Sequence, residues 1–535
     1  MCTACGTVKP TLTEDPVPTV GPVHLAMSGG GWRAHTAHAG WTMSILGQGK
    51  RDLSSAFANV ETISSNSGGS WFSTMLMFSG DFVADIQAPN AFSTWSETGW
   101  IGKQQKHFDA AICHRLSGDK FTVCVFEKYA KASDWNSVIE KLVYKDYSLG
   151  NTLMSGTRQP WATNKNLLLA ASMLTTEVVL TGSTAGDKQY YQACISPNIP
   201  SLISDTGMTC SNGPIPDVTP ATFSSLPRGS SYTAPPFLSE LGVGSGAQKL
   251  NMGYSETVWW GTAPLKTNSI RNPLLNDQVP VMKAAAASSA AGGFVASHNI
   301  SKSWFDSFEG ENEAPGFKLE GGYVLPVDAT NLSLQQLADQ QVVRIADGGP
   351  VDNSGVAQLV RFLQQNNQGN GFNIVAFDNV QEIYPTSGRA SAGIDIANLF
   401  GEGICSNNQF CSGDGCNGTC VTTPPLQIFE KSTFLSTPIT WSASTHSGEY
   451  VQKLIYTKYT VNTVNNPAYG VSRGYTGTLH AFTCVWSNAD TAPQNKTKDG
   501  DFKTYAEMLR FIQSALRQDN ATGLKYLEAA LGLSH

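Results

Sequence analysis

The stretch Met27-Ser28-Gly29-Gly30-Gly31-Trp32-Arg33-Ala34 decides how this chain is read. It joins an apolar, strand-like run (Val23 to Met27) to a helix-like stretch from Ala34 to Leu46. Three consecutive glycines leave several backbone N–H groups without side chains to shield them. At the start of a helix such donors are placed to hold a negative oxygen. An acyl-transfer enzyme needs such donors for its oxyanion, so Gly29, Gly30 and Gly31 are candidates for an oxyanion hole.

The second turn reads Val60-Glu61-Thr62-Ile63-Ser64-Ser65-Asn66-Ser67-Gly68-Gly69-Ser70-Trp71-Phe72. A β-prone run enters it, and Trp71 to Phe78 can leave it as a helix. A nucleophile elbow asks for small residues two before and two after its serine, because the turn is tight. Gly69 fills the downstream place, whereas Ser65 stands where glycine is usual. A Ser/Gly-rich turn without chemistry is the competing reading of this segment. A third element, Val342 to Asn353, again ends an apolar strand at a carboxylate, Asp347, followed by Gly348 and Gly349. Asp-Gly alone is a common turn signal. The trio of glycine donors, elbow serine and aspartate changes its weight, since the carboxyl ends of strands in an open α/β sheet gather where sites are built. Asp352, in the same loop, is the alternative carboxylate.

S-G-G-G-W-R-A, then S-N-S-G-G-S-W, then D-G-G-P-V-D-N resembles the cytosolic phospholipase A2 and fungal lysophospholipase family, relatives of patatin. The resemblance implies an α/β fold: a three-layer patatin-like catalytic domain with a cap-like insertion. It also implies that Ser67 is the nucleophile, Asp347 its partner, Gly29–Gly31 the oxyanion hole and Arg33 the residue near a lipid phosphate. Two departures stand out: Ser65 replaces the first elbow glycine, and Gly69 replaces a serine, as in patatin-type elbows.

The chemistry follows from the residue types. Serine is a poor nucleophile until a base accepts its proton, and Asp347 would take it directly, giving a dyad without histidine. Arg33, with its fork of donors, suits a phosphate, or else an ion pair at the start of its helix. A Ser-Asp-His triad is the alternative, with His446 or His480 following Asp347 in the hydrolase order and His298 also downstream of Ser67. A non-catalytic secreted lipid-binding protein on the same scaffold is the third reading, kept open by Ser65. His35 and His38 share a helical face but lack a further ligand at metal spacing. Neither a cofactor nor a metal is implied, and no calcium-binding membrane module is evident.

The chain has 535 residues, carries a net charge of −7 and contains only 14% charged residues. That charge would draw neither nucleic acid nor an anionic bilayer. The expected partners are a phospholipid or lysophospholipid substrate and, transiently, a membrane or micelle surface. No stretch is apolar for the length a spanning helix requires. Interfacial contact would fall to aromatics such as Val258-Trp259-Trp260 and Trp304-Phe305-Asp306-Ser307-Phe308, which could also line an acyl groove.

Four of eleven cysteines (Cys405, Cys411, Cys416, Cys420) form a Cys-rich loop over residues 403–421. Their spacing fails the usual zinc pattern and suggests a disulfide-stapled loop, with one thiol left over by the odd count. Sequons at Asn299, Asn331, Asn417, Asn495 and Asn520 point with the cysteines to a secreted or lumenal compartment. The N-terminus as written has neither a basic nor an apolar signal region. Either a signal peptide has been removed or the protein is cytoplasmic with reduced thiols.

The organisation expected is an N-terminal lead (1–20), then one catalytic domain (21–535) with a loop-rich insertion around 190–335. The run from Ala284 to Ala296 reads as buried small-residue packing. Tyr505, Met508, Leu509, Ile512 and Leu516 repeat at helical spacing, and Asn520 can cap a second helix.

Overall fold

The computed structural model describes residues 16–110 (except 48 and 96), 139–175 (except 141, 148 and 155), 217–225, 252–253, 259–261, 280–289, 323–325, 344–380, 383–384, 392–402, 409–411, 420–422, 426–434, 438–444, 451–466, 469–485 and 500–534. Its centre is a ten-stranded mixed sheet. The strands are β1 (Val23–Met27), β2 (Val60–Asn66), β3 (Asn166–Thr175), β4 (Asp217–Ser225), β5 (Met252–Gly253), β6 (Arg344–Asp347), β7 (Phe372–Val380), β8 (Ile439–Ser444), β9 (Val451–Asn462) and β10 (Thr476–Val485). They lie in the order β8-β9-β10-β7-β1-β2-β3-β4-β5, with β6 also paired to β3. From β10 through β7, β1 and β2 to β3 the strands are parallel. Antiparallel strands flank this centre, β9 and β8 on one side, β4 and β6 on the other.

A parallel sheet covered on both faces demands strands that are apolar throughout, and all five residues of β1 are buried. Alternation along each strand sorts them between two cores. Leu25, Met27, Leu167, Leu169, Val375 and Phe377 pack with helices α1 (Gly31–Leu46) and α2 (Ser67–Phe78). Ala26, Leu168, Ile374 and Ala376 face the other way and pack with α4 (Val356–Gln365). The result is helix, sheet, helix, in agreement with the three layers expected.

The small-residue run delivers α3 (Val281–Ser288), whose Ala284 to Ala287 are all buried in the first core. The C-terminal segment forms α5 (Gly500–Ala530), and its Met508, Leu509, Ile512 and Leu516 are buried as their spacing implied. Left-handed backbone at Asn520 (φ 63°) and Ala521 (φ 61°) interrupts it where the second helix was expected to begin.

Within 190–335, β4 and β5 belong to the main sheet and α3 to the core beside it, so these parts are built into the central α/β unit. Elsewhere in that insertion Trp259–Gly261 pairs antiparallel with Tyr323–Leu325 in a separate two-stranded sheet; residues 258 and 304–308 lie outside the described residues, as do residues 1–15 of the lead. Most of the Cys-rich loop also lies outside them, although a short hairpin sets Cys411 opposite Cys420. Cys484, on β10, is buried and free. Among the described residues no helix is long and apolar enough to cross a membrane.

Candidate active site

Strand register brings the two arms of the site together. Asn66, the last residue of β2, lies opposite Ala170 of β3, and Asp347, the last of β6, lies opposite Ala171. Because β4 takes the other edge of β3, β2 and β6 share one edge and meet end to end from opposite directions. Asp347 therefore arrives on an antiparallel strand and does not join a row of parallel carboxyl ends, as the sequence had suggested. The Ser67 hydroxyl, next in the chain after Asn66, donates to Asp347 Oδ2 at 2.8 Å.

Ser67 opens α2 with left-handed backbone, φ 48°, a conformation that costs a non-glycine residue on the order of 1–3 kcal/mol and persists only where its surroundings impose it. Two glycines let the surroundings do so. A Cβ on Gly68 would stand 2.0 Å from Gly31 O, and one on Gly69 would stand 2.5 Å from Met27 O. The elbow thus sits directly on the glycine loop. Ser65 needs no such freedom: its φ is not positive, and its buried hydroxyl lies 2.8 Å from that of Ser73. A small residue suffices there.

Asp347 is buried, and its Oδ1 accepts the Gly349 N–H at 2.8 Å. Burial pushes its pKa up to about 6, while hydrogen bonds from Gly349, Ser67 and Asn66 pull the other way. Asp352, the alternative carboxylate, is buried and shifted to about 6 as well. It accepts the N–H groups of Ser354, Gly355 and Ala357 and the Ser354 hydroxyl. That is the work of a helix cap for α4.

Gly30 (φ 126°) and Gly31 (φ 57°) turn the chain out of β1 in conformations that favour glycine. The three expected donors are not equivalent. The Gly29 N–H is taken by Asn353 O at 2.9 Å, whereas no hydrogen bond ties the Gly30 or Gly31 amide to another described residue. The candidate oxyanion donors narrow to those two. Asn353 also accepts from Asn66 Nδ2 at 3.1 Å and donates to Asp395 Oδ2 at 2.7 Å, locking glycine loop, elbow and acid loop together.

Arg33 is half-buried against Gly30; its Nη2 donates to Asn379 O at 3.2 Å, and its Nε is enclosed without a partner among the described residues. Burial lowers its pKa, opposed by Tyr505, Asp395, Cys484 and Asp378. Burial and the charge of Asp395 keep Asp378 protonated well above the ordinary carboxylate range. This acidic pair was not foreseen, because residues 378 and 395 carry no local motif.

His480 does not reach Ser67. It lies opposite Val375, which faces Leu25, which faces Ile63: three strand spacings, roughly 14 Å, from β2. Its Nδ1 is 3.0 Å from the Tyr456 hydroxyl, and burial lowers its pKa to about 3. His298 and His446 lie outside the described residues. His35 and His38 are core residues: His35 stacks on Trp100 at 3.8 Å, and His38 Nε2 donates to Ser28 O at 2.9 Å. Among the described residues no group of three or more His, Cys, Asp or Glu side chains is placed to hold a metal ion.

Compared with known proteins, the chain matches no protein-family model and no curated protein.

Proposed function

We propose that this protein is a serine hydrolase of the patatin and cytosolic phospholipase A2 type, cleaving acyl esters of phospholipids or lysophospholipids with a Ser67–Asp347 dyad. One observation carries the reading: a left-handed serine at a strand-to-helix elbow donates to a buried carboxylate at 2.8 Å, beside two glycine amides that no other described residue engages.

In this reaction Ser67 Oγ attacks the ester carbonyl carbon and its proton passes to Asp347. A base with pKa about 6 is ionised at neutral pH yet stronger than an ordinary aspartate, which suits it to proton transfer. The oxyanion forms against the Gly30 and Gly31 amides, each such donor being worth on the order of 3 kcal/mol. Collapse expels the alcohol, which takes the proton from Asp347. Water, deprotonated by Asp347, then attacks the acyl-serine, and Ser67 recovers its proton as the fatty acid leaves. The phosphate of the lipid is assigned to Arg33 on the strength of the resemblance. No cofactor enters the scheme, contact with a membrane or micelle is transient, and a secreted or lumenal location fits the cysteine usage and sequons.

Intact-mass measurement after fluorophosphonate treatment tests this, beside a Ser67→Ala control. A single adduct absent from the control supports an activated serine; release of fatty acid from phosphatidylcholine and lysophosphatidylcholine then defines the substrate. Failure of the folded wild type to label would favour the lipid-binding alternative.

A further inference from the structure

We infer that Ser288, the last residue of α3, is a positioning residue that sets the nucleophile against its base. The inference rests on the dyad reading above. The Ser67 amide, at the first position of α2, has no partner within its helix, and its Asn66 cap supplies no side-chain bond. Ser288 Oγ accepts that N–H at 3.2 Å. The one proton of Ser288 goes to Ala170 O at 2.5 Å, a pure acceptor. The contact with Ser70 Oγ at 2.8 Å must therefore be donated by Ser70. The Ser288 carbonyl accepts the Gly348 N–H at 3.3 Å.

The targets of these bonds matter more than their number. Ala170 is the β3 residue opposite Asn66, and its neighbour Ala171 is opposite Asp347. Ser288 therefore sits over the junction where β2 and β6 abut, bonded to the nucleophile's amide, to the strand both arms pair with, and to the residue after the base. Next to it, Ser289 Oγ accepts the Trp71 indole N–H at 2.8 Å and fixes α3 to α2. Ser288 is fully buried and touches no reacting atom, so it acts only through Ser67 and Asp347.

The test is the pH dependence of fluorophosphonate labelling and of ester hydrolysis in Ser288→Ala, Ser288→Cys and Ser288→Thr, each checked for folding by thermal melt. With the Ser67 elbow released, the hydrogen bond that holds ionised Asp347 weakens. The folded alanine variant is expected to label roughly 100-fold more slowly, in the range lost with an oxyanion donor. It should lose kcat with KM unchanged and show its pH midpoint displaced upward. Ser288→Cys, close in volume but a poor hydrogen-bond partner, carries the same test if the alanine variant does not fold. Ser288→Thr, which keeps the hydroxyl, should recover most of the rate and the wild-type midpoint. A purely structural role would lower the melting temperature and leave kcat and midpoint of the folded fraction unchanged, and that result overturns the inference. Wild type that fails to label overturns the dyad reading and this inference together.

Discussion

Asp347 and Asp352 stand in one loop, both buried, both raised by burial to about 6, and each accepts a hydrogen bond from a serine hydroxyl. Neither burial, nor pKa, nor a serine contact distinguishes them. Their surroundings do. Asp352 spends its oxygens on three amides at the start of α4, and its serine, Ser354, in turn accepts the Val356 N–H. Asp347 holds one local amide, and its serine comes from a strand end 280 residues away, on strained backbone beside the glycine loop. A carboxylate–serine pair becomes a candidate dyad only where the hydroxyl is aimed by something other than the carboxylate.

The sharpest way to break the comparison is substitution of the two acids. Asp347→Asn is expected to lower labelling and hydrolysis by about 10⁴-fold, the scale seen when a member of such a catalytic unit is removed, and Ser67→Ala to abolish labelling and lower hydrolysis on the same scale. Asp352→Asn should keep the labelling rate within about tenfold and lose about 1–2 kcal/mol of stability, as a damaged cap does. In that variant an amide NH₂ must face a backbone N–H. Equal loss of activity from the two substitutions would end the assignment of separate roles.

Glycines on the two sides extend the contrast. A methyl at Gly68 collides with the Gly31 peptide, so Gly68→Ala should part elbow from oxyanion loop and cost about 10²-fold or more in kcat. Gly355, left-handed (φ 73°) with a would-be Cβ 3.2 Å from Ser64 Oγ, lies on the capping side. Gly355→Ala should cost about 1–2 kcal/mol in a melt, for the left-handed backbone, and little in rate.

Titration separates the acids by consequence. Labelling requires ionised Asp347, so its rate should rise tenfold per pH unit below about 6 and level off above. For stability the sign is fixed by the raised pKa. From the ordinary value of 3.8 up to about 6 the folded state holds a proton that the unfolded state has lost. Asp347 thus disfavours folding increasingly across that window, and fully above it. In Asp347→Asn the amide can keep Oδ1 on Gly349 and donate to Ser67, so the variant should melt higher than wild type at pH 8. The advantage, at most about 3 kcal/mol, should vanish towards pH 4.

Much of this site was legible in the chain, because each motif carries its own geometry. The apolar run of β1, the glycines at 29–31, the elbow and the Asp-Gly-Gly segment announce local backbone shapes that need no distant partner. What stayed hidden depends on residues far apart in sequence. That β6 runs antiparallel into the site follows only from pairing with β3, and that Gly29 is already engaged follows from Asn353, 324 residues on. Ser288 lay in a run whose composition promised burial and nothing more. The acidic pair at 378 and 395, and the placement of β4 and α3 in the main unit, had no local signature either.

Ser65 gives the smallest effect and the finest test of how the elbow is built. The sequence pattern asks for glycine at this place, as though the backbone required it. Yet Ser65 is paired in register with Met27 on one side and Leu169 on the other, inside a regular strand. Its hydroxyl has work of its own between Ser73 and Ser70. Glycine there gains no conformation the strand uses and adds freedom to the unfolded chain, a loss of about 0.5–1 kcal/mol. Ser65→Gly should therefore melt slightly lower and label Ser67 at an unchanged rate. A faster enzyme would mean that the serine holds the elbow back, and that the strain at Ser67 is set from β2 and not from the glycine loop beneath it.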